Sequence, residues 1–287
     1  MSDRKERFMT TWRLVAAVGA LALGLLGLGV PAARAQGVGC GATLNQDTTL
    51  TEADPIVNEV CKNDGLVLGD VESGFGIVLD CGGRTIRGGP KGAGIRVGSR
   101  VEGVTIVNCV VDGFKTGIEL GGRGFHFVER SVVMNGKGDG VFVNSDDNVV
   151  LGTVAQNNGG AGFIVKGRFN ELSETNVALQ NKKGGIVVKG REHIVVGNIA
   201  ILNGDHGISG SVITGDVSSN LAIGNKGTGV LITGGSSDEP SFVGDNRTIT
   251  NDGNGLVATG EDGGGNSGVA NKGPIACQVA GQPCLEF

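Results

Sequence analysis

The chain has 287 residues, with 24 Lys and Arg against 29 Asp and Glu, a formal net charge of −5 and 55 glycines. The acidic balance excludes general nucleic-acid binding, which needs cations for the phosphates, and the lack of a strict triplet of glycines excludes a collagen-type helix. There is no Tyr and one Trp, Trp12 near the N-terminus, which counts against a neutral-glycan cleft lined by broad aromatic faces.

In chain order, Arg4, Lys5, Arg7 and Arg13 precede an uncharged run from Leu14 to Val30, then Pro31-Ala32-Ala33-Arg34-Ala35. A basic region, an apolar stretch and a small-x-small site predict a signal peptide over 1–35, cut after Ala35. The alternative is an uncleaved anchor, since the run approaches the length of a span. Residues Gly37-Val38-Gly39 before Cys40 lack the large aliphatic residue of a lipoprotein site. Cleavage would remove five basic and two acidic side chains, giving −5 − (5 − 2) = −8. The expected address is exported, periplasmic or secreted, with no stable membrane insertion after cleavage.

Cys40, Cys61, Cys81, Cys109, Cys277 and Cys284 all follow residue 35, as in a protein of an oxidising compartment. Cys40 with Cys61 and Cys277 with Cys284 are the expected local disulfides, and the pairing of Cys81 and Cys109 stays open.

A Gly-apolar-x-apolar motif recurs at Gly94, Gly117, Gly140, Gly162, Gly185, Gly207, Gly229 and Gly255, at spacings of 23, 23, 22, 23, 22, 22 and 26. Asparagines precede most of these glycines, at Asn135, Asn158, Asn181, Asn203, Asn225 and Asn251, with a second series at Asn176, Asn198, Asn220 and Asn246. This self-similarity is that of a solenoid, and short Val/Ile runs broken by Gly and Asn make each repeat a coil of strands. Glycine is expected to serve the corners. Asparagine suits them because it tolerates left-handed backbone angles and its amide can bond the same amide one coil away. Residues one and three after each glycine, such as Ile118 and Leu120 or Ile186 and Val188, should face inward. The residue between them faces out, giving a column of Arg96, Glu119, Phe142, Ile164, Val187, Ser209, Leu231 and Val257.

Segments such as Asn198-Ile199-Ala200-Ile201-Leu202-Asn203 followed by Gly207-Ile208 resemble the repeats of the pectate-lyase-like superfamily and of NosD-type periplasmic proteins. The resemblance implies an all-β fold, a single right-handed parallel β-helix over 64–260. An N-terminal cap over 36–63 and a C-terminal cap over 261–287, both disulfide-bonded, are expected because a solenoid must cover its open ends. For activity the resemblance is weak, because the shared residues are those that make coils stack.

Residues 22 or 23 apart become neighbours in such a stack. The column six after each glycine reads Arg100, Arg123, Asp146, Arg168 and Arg191, and Lys166 and Lys189 lie two residues before the last two arginines. Such a rail matches a polyanion, since guanidinium groups grip carboxylate or sulfate in bidentate fashion. Ion pairs of Asp146 with Arg123 and Arg168 are the competing reading.

Three functions follow. The first is non-catalytic binding of an acidic polysaccharide or cell-envelope polymer along Arg100, Arg123, Lys166, Arg168, Lys189 and Arg191, beside Phe142, with no nucleic-acid partner. The second, implied by the resemblance, is a polysaccharide lyase with Asp146 and Asp147 as calcium ligands and Arg168 as base; no cofactor other than this calcium is expected. The third is an adhesive scaffold that self-associates through Phe142, Ile164 and Val187. Gly204-Asp205-His206-Gly207 is similar to a polygalacturonase segment, but Asp205 is expected to pair with Lys183 and His206 to serve a turn. The segment Gly234 to Pro240 is the main insertion into the period.

Overall fold

The computed structural model describes residues 37–69, 76–211, 215–234 and 240–284. The expected signal peptide, and most of the insertion after Gly234, lie outside these residues. Among the described residues three sheets of 12, 10 and 10 strands run along the stack: the first from Ala42–Leu44, the second from Thr48–Thr49 and the third from Val60–Cys61. Every third strand in sequence joins the same sheet in parallel, save the last, Gln282–Pro283, which pairs antiparallel with Cys277–Val279. The topology is a right-handed parallel β-helix. Regular pairing begins at Ala42–Leu44, which lies beside Leu66–Leu68, and reaches Cys277–Val279 beside Leu256–Ala258, so strands form upstream of residue 64 and beyond residue 260. A one-turn helix at Pro55–Asn58 buries Ile56 at the N-terminal end. Among the described residues no helix is long and apolar enough to cross a membrane.

Each coil's inward residues form continuous columns. Ile95, Ile118, Val141, Phe163, Ile186, Ile208 and Val230 stack on the first sheet, and all are fully buried. The outward column from Arg96 to Val257 is in the expected register, with Glu119 beside Arg96 and Phe142, and Ile164 beside Val187.

The eight marker glycines do not serve corners. All are buried, and none adopts a left-handed backbone. They permit close approach instead: a Cβ on Gly185 would lie 2.5 Å from the Gly207 carbonyl oxygen, 2.8 Å from Asn203 Nδ2 and 3.0 Å from Ala200 Cβ.

The asparagines form ladders, with the amide of each bonded to that of the next coil. Asn181 Nδ2 donates to Asn203 Oδ1 at 3.0 Å and Asn203 Nδ2 to Asn225 Oδ1 at 2.9 Å. The second series does the same through Asn198 and Asn220. The left-handed residue is the one before each ladder asparagine: Asn157, Gln180, Leu202, Thr175 and Ser219 have φ between 54° and 64°. Asn135 belongs to that left-handed set, with Gly136 in the ladder position, where its N–H donates to Asn158 Oδ1. The physical reason is economy of polar groups. A buried amide must satisfy donors and acceptor alike, and another amide one coil away does both.

Cys40 pairs with Cys61 and Cys277 with Cys284, as expected at the two ends. Cys81 pairs with Cys109 one coil away, and the Cys109 N–H donates to Ser131 Oγ, so this disulfide heads the column that Asn176 and Asn198 continue.

Candidate functional site

The basic residues lie where the first sheet turns into the second. Strands Phe163–Arg168 and Ile186–Arg191 are longer than the other strands of their sheet and pair over their whole length, so Lys166 sits beside Lys189 and Arg168 beside Arg191. Adjacent strands lie about 4.8 Å apart, and like charges directly opposite one another are destabilising. Gly167 and Gly190 between them have φ of 109° and 130°, a conformation only glycine takes without strain. Arg100 and Arg123 are exposed at the same corner on the preceding coils.

Among the described residues, none of Arg123, Lys166, Arg168, Lys189 and Arg191 forms an ion pair. The expected pairs of Asp146 with Arg123 and Arg168 are absent, because the Asp146 carboxylate turns to the main chain and accepts the backbone N–H of Arg168 at 2.9 Å. Lys166 Nζ lies 5.0 Å from the centre of the Phe142 ring, a cation–π contact that ties the charged edge to the apolar column. Farther up that column, Arg96 is neutralised by Asp64 at 3.1 Å and Glu119 at 3.3 Å. Asp205 lies 3.6 Å from His206 Nε2, where the sequence predicts Lys183 as its partner.

Two residues at this corner carry no mark in the periodic reading. Phe125 and Phe169 hold left-handed backbone at φ 57° and 55° and remain 56% and 40% exposed. The backbone angle is the ordinary corner conformation, shared by Thr175, Leu202 and Thr250 on other coils, so the exposed rings are what set these two apart. Each follows close on an arginine, in Arg123-Gly124-Phe125 and Arg168-Phe169, and precedes the ladder residue His126 or Asn170. That placement is the sequence signal for them. The same left-handed position holds Asp147 and Glu192 on the other two coils.

Burial pushes the Asp147 carboxyl above the usual range, and the neighbouring Asp146 charge adds to this. Calcium takes six to eight oxygens, whereas Asp146 and Asp147 supply two carboxylates, one already engaged by an N–H. Among the described residues no three His, Cys, Asp or Glu side chains gather as a metal site. The donor set does not fit calcium.

The family model described as "Right handed beta helix region" matches residues 56–199 and 116–272. The chain belongs to the right-handed β-helix family. A search of curated proteins gives no significant match to this β-helix chain. Among solved structures it is similar to the A-module of the mannuronan C-5 epimerase AlgE4 of Azotobacter vinelandii, at 13% identity over 87% of this chain and 79% of that one, with a TM-score of 0.52. The AlgE6 A-module of the same organism follows at 16% identity, 86% and 79% coverage and a TM-score of 0.49. The periplasmic alginate epimerase AlgG matches at 15% identity, 79% and 70% coverage and 0.42. At these identities the likeness is one of fold.

Proposed function

We propose that this β-helix binds an acidic polysaccharide or cell-envelope polymer, without catalysis, along the edge marked by Arg123, Lys166, Arg168, Lys189 and Arg191. The observation that carries the reading is the direct stacking of Lys166 on Lys189 and Arg168 on Arg191 with no carboxylate among the described residues paired to any of the four. An external anion relieves that repulsion, and a row of guanidinium groups grips carboxylates at regular intervals. Phe125 and Phe169 add exposed rings for sugar in a chain that has no Tyr and only Trp12 as tryptophan. The AlgE4 A-module, whose fold this chain shares, is named for mannuronan, a polyuronate. The three disulfides support an exported address, periplasmic or secreted.

The test is binding to polyuronates at two salt concentrations. Affinity should fall with salt, and Arg168→Ala with Arg191→Ala should weaken it at least tenfold; retained affinity in the double variant sinks the proposal. The competing lyase reading on Asp146, Asp147 and Arg168 is decided in the same samples by the ultraviolet absorbance of unsaturated product.

A further inference from the structure

Over four successive coils the third sheet turns its large residues outward. Its inward column over four successive coils is Ala155, Ala178, Ala200 and Ala222, each fully buried. The alanines pack on the marker glycines: a Cβ on Gly162 would lie 2.9 Å from Ala178 Cβ, while Gly94 and Gly117 meet Val111 and Val133 of the same column on earlier coils. The aliphatic bulk of these strands therefore faces the surface. One outward column reads Val132, Val154, Val177, Ile199 and Leu221, and the column beside it runs from Met134 to Ile223, broken by a single polar residue, Gln156. Leu202, at the adjoining corner, is 52% exposed.

The other two faces differ. Lys166 and Lys189 lie on the outer face of the first sheet, and Glu171, Asp216 and Glu261 interrupt that of the second. On the third sheet, five consecutive strands carry no outward charge. Charge returns at both ends of the run, as Asp112 on Val110–Asp112 and Arg247 on Arg247–Ile249. Each of those strands is three removed from Val177–Leu179, so the patch has opposite charges at equal distances from its centre.

We infer that this face is a homodimer interface, in which a second copy docks face to face with its helix axis antiparallel. A two-fold axis through Val177–Leu179 sets Asp112 of each copy near Arg247 of the other, whereas parallel docking brings each charge against its own kind. Isologous contact of this sort is the commonest oligomeric arrangement. The nine strands that a two-fold axis on Val177–Leu179 overlays, Thr85–Gly88 to Ser267–Val269, make a face about 38 Å long and, with its corner residues, about 16 Å wide. Its area, on the order of 600 Å², is about three quarters of the ~800 Å² that each partner gives to a standard interface. Lys137, Lys182, Lys183 and Lys226 line one edge at the corner, which the same two-fold sets beside that edge of the other copy, where long side chains keep the ammonium groups apart in water. The inference is independent of the basic edge, which lies at a different corner.

The experiment is sedimentation equilibrium of the full chain, as isolated from an exporting host, across a wide concentration range. A dimer is expected. Leu179→Lys with Ile201→Lys should give a monomer with an unchanged circular dichroism spectrum, since both side chains point outward. Asp112→Arg alone and Arg247→Asp alone should each weaken the dimer at least tenfold, and the two together should restore it. If those two lysine replacements prevent folding, the charge reversals decide by themselves. A wild-type chain that stays monomeric, or a dimer indifferent to the single reversals, overturns the inference.

Discussion

The Nδ1 atom of His193 accepts the backbone N–H of Asn170 at 3.3 Å, the role that Asn170 Oδ1 plays for Asn148 at 2.9 Å one coil earlier. His126 repeats it: Nδ1 accepts the Val104 N–H at 3.1 Å while Nε2 lies 2.7 Å from the Gly121 carbonyl oxygen. Acceptance at Nδ1 places the proton of the neutral ring on Nε2. Both imidazoles are buried, and both pKa values lie below the ordinary one because burial disfavours the cation.

Stability should therefore depend on pH in a definite direction. The unfolded histidines take up protons near about pH 6.5, before the folded ones do. Where the unfolded state binds more protons, stability rises with pH. The contribution is complete above about pH 6.5 and is lost as pH falls toward the depressed folded values. Thermal unfolding between pH 8 and 5 should show this, with a shallower decline in His193→Asn, which continues the amide ladder. An identical slope in the His126→Asn, His193→Asn double variant would refute the assignment.

Replacing Asn203 with Ala should destabilise the protein by roughly 3 kcal/mol or more, because each orphaned buried polar group costs about 1–3 kcal/mol. Asn203 accepts the N–H and the Nδ2–H of Asn181, both at 3.0 Å, and donates to Ala178 O at 3.0 Å and Asn225 Oδ1 at 2.9 Å. Asn135→Ala is the control. Its exposed amide bonds Asp112 alone, and the cost should be about 1 kcal/mol or less. Urea unfolding separates the two.

Gly185→Ala should cost about 3 kcal/mol, the upper end for overpacking, since the added Cβ meets the Gly207 carbonyl oxygen at 2.5 Å. Gly197→Asn should be nearly silent. Gly197 is left-handed at φ 71°, a Cβ added to it would have nothing within 4 Å, and the equivalent positions hold Thr175 and Ser219. Equal effects in a thermal melt would contradict the division of glycines into packing and corner classes.

Removing Cys81–Cys109 should destabilise more than removing Cys277–Cys284, because the loops closed span 28 and 7 residues. Chain entropy alone gives about 3.6 and about 2.4 kcal/mol. Paired Cys→Ala variants compared in urea would reveal a reversed order, which would remove the entropic account.

The sequence by itself determined the coil, the register and the two local disulfides. A repeat of 22 or 23 residues fixes which side chains stack, and this is why Glu119, Phe142, Ile164, Lys166 and Arg168 lie in the columns that spacing assigns them. It did not determine which member of a corner takes the left-handed backbone, since a shift of one residue reverses the direction of a side chain. Phe125 and Phe169 stand close behind arginines in the chain, but only the folded corner shows that their rings stay exposed. Nor could spacing show that Asp146 would bond a main-chain amide and leave Arg123, Lys166, Arg168, Lys189 and Arg191 without an ion pair among the described residues, because that depends on atoms a whole coil apart. The alternation Val-Ala-Leu and Ile-Ala-Ile is plain in the chain, yet burial of the smaller residue reverses the usual rule. The tertiary structure packs those alanines on Gly162 and Gly185, a contact between different sheets, and leaves the larger side chains toward water.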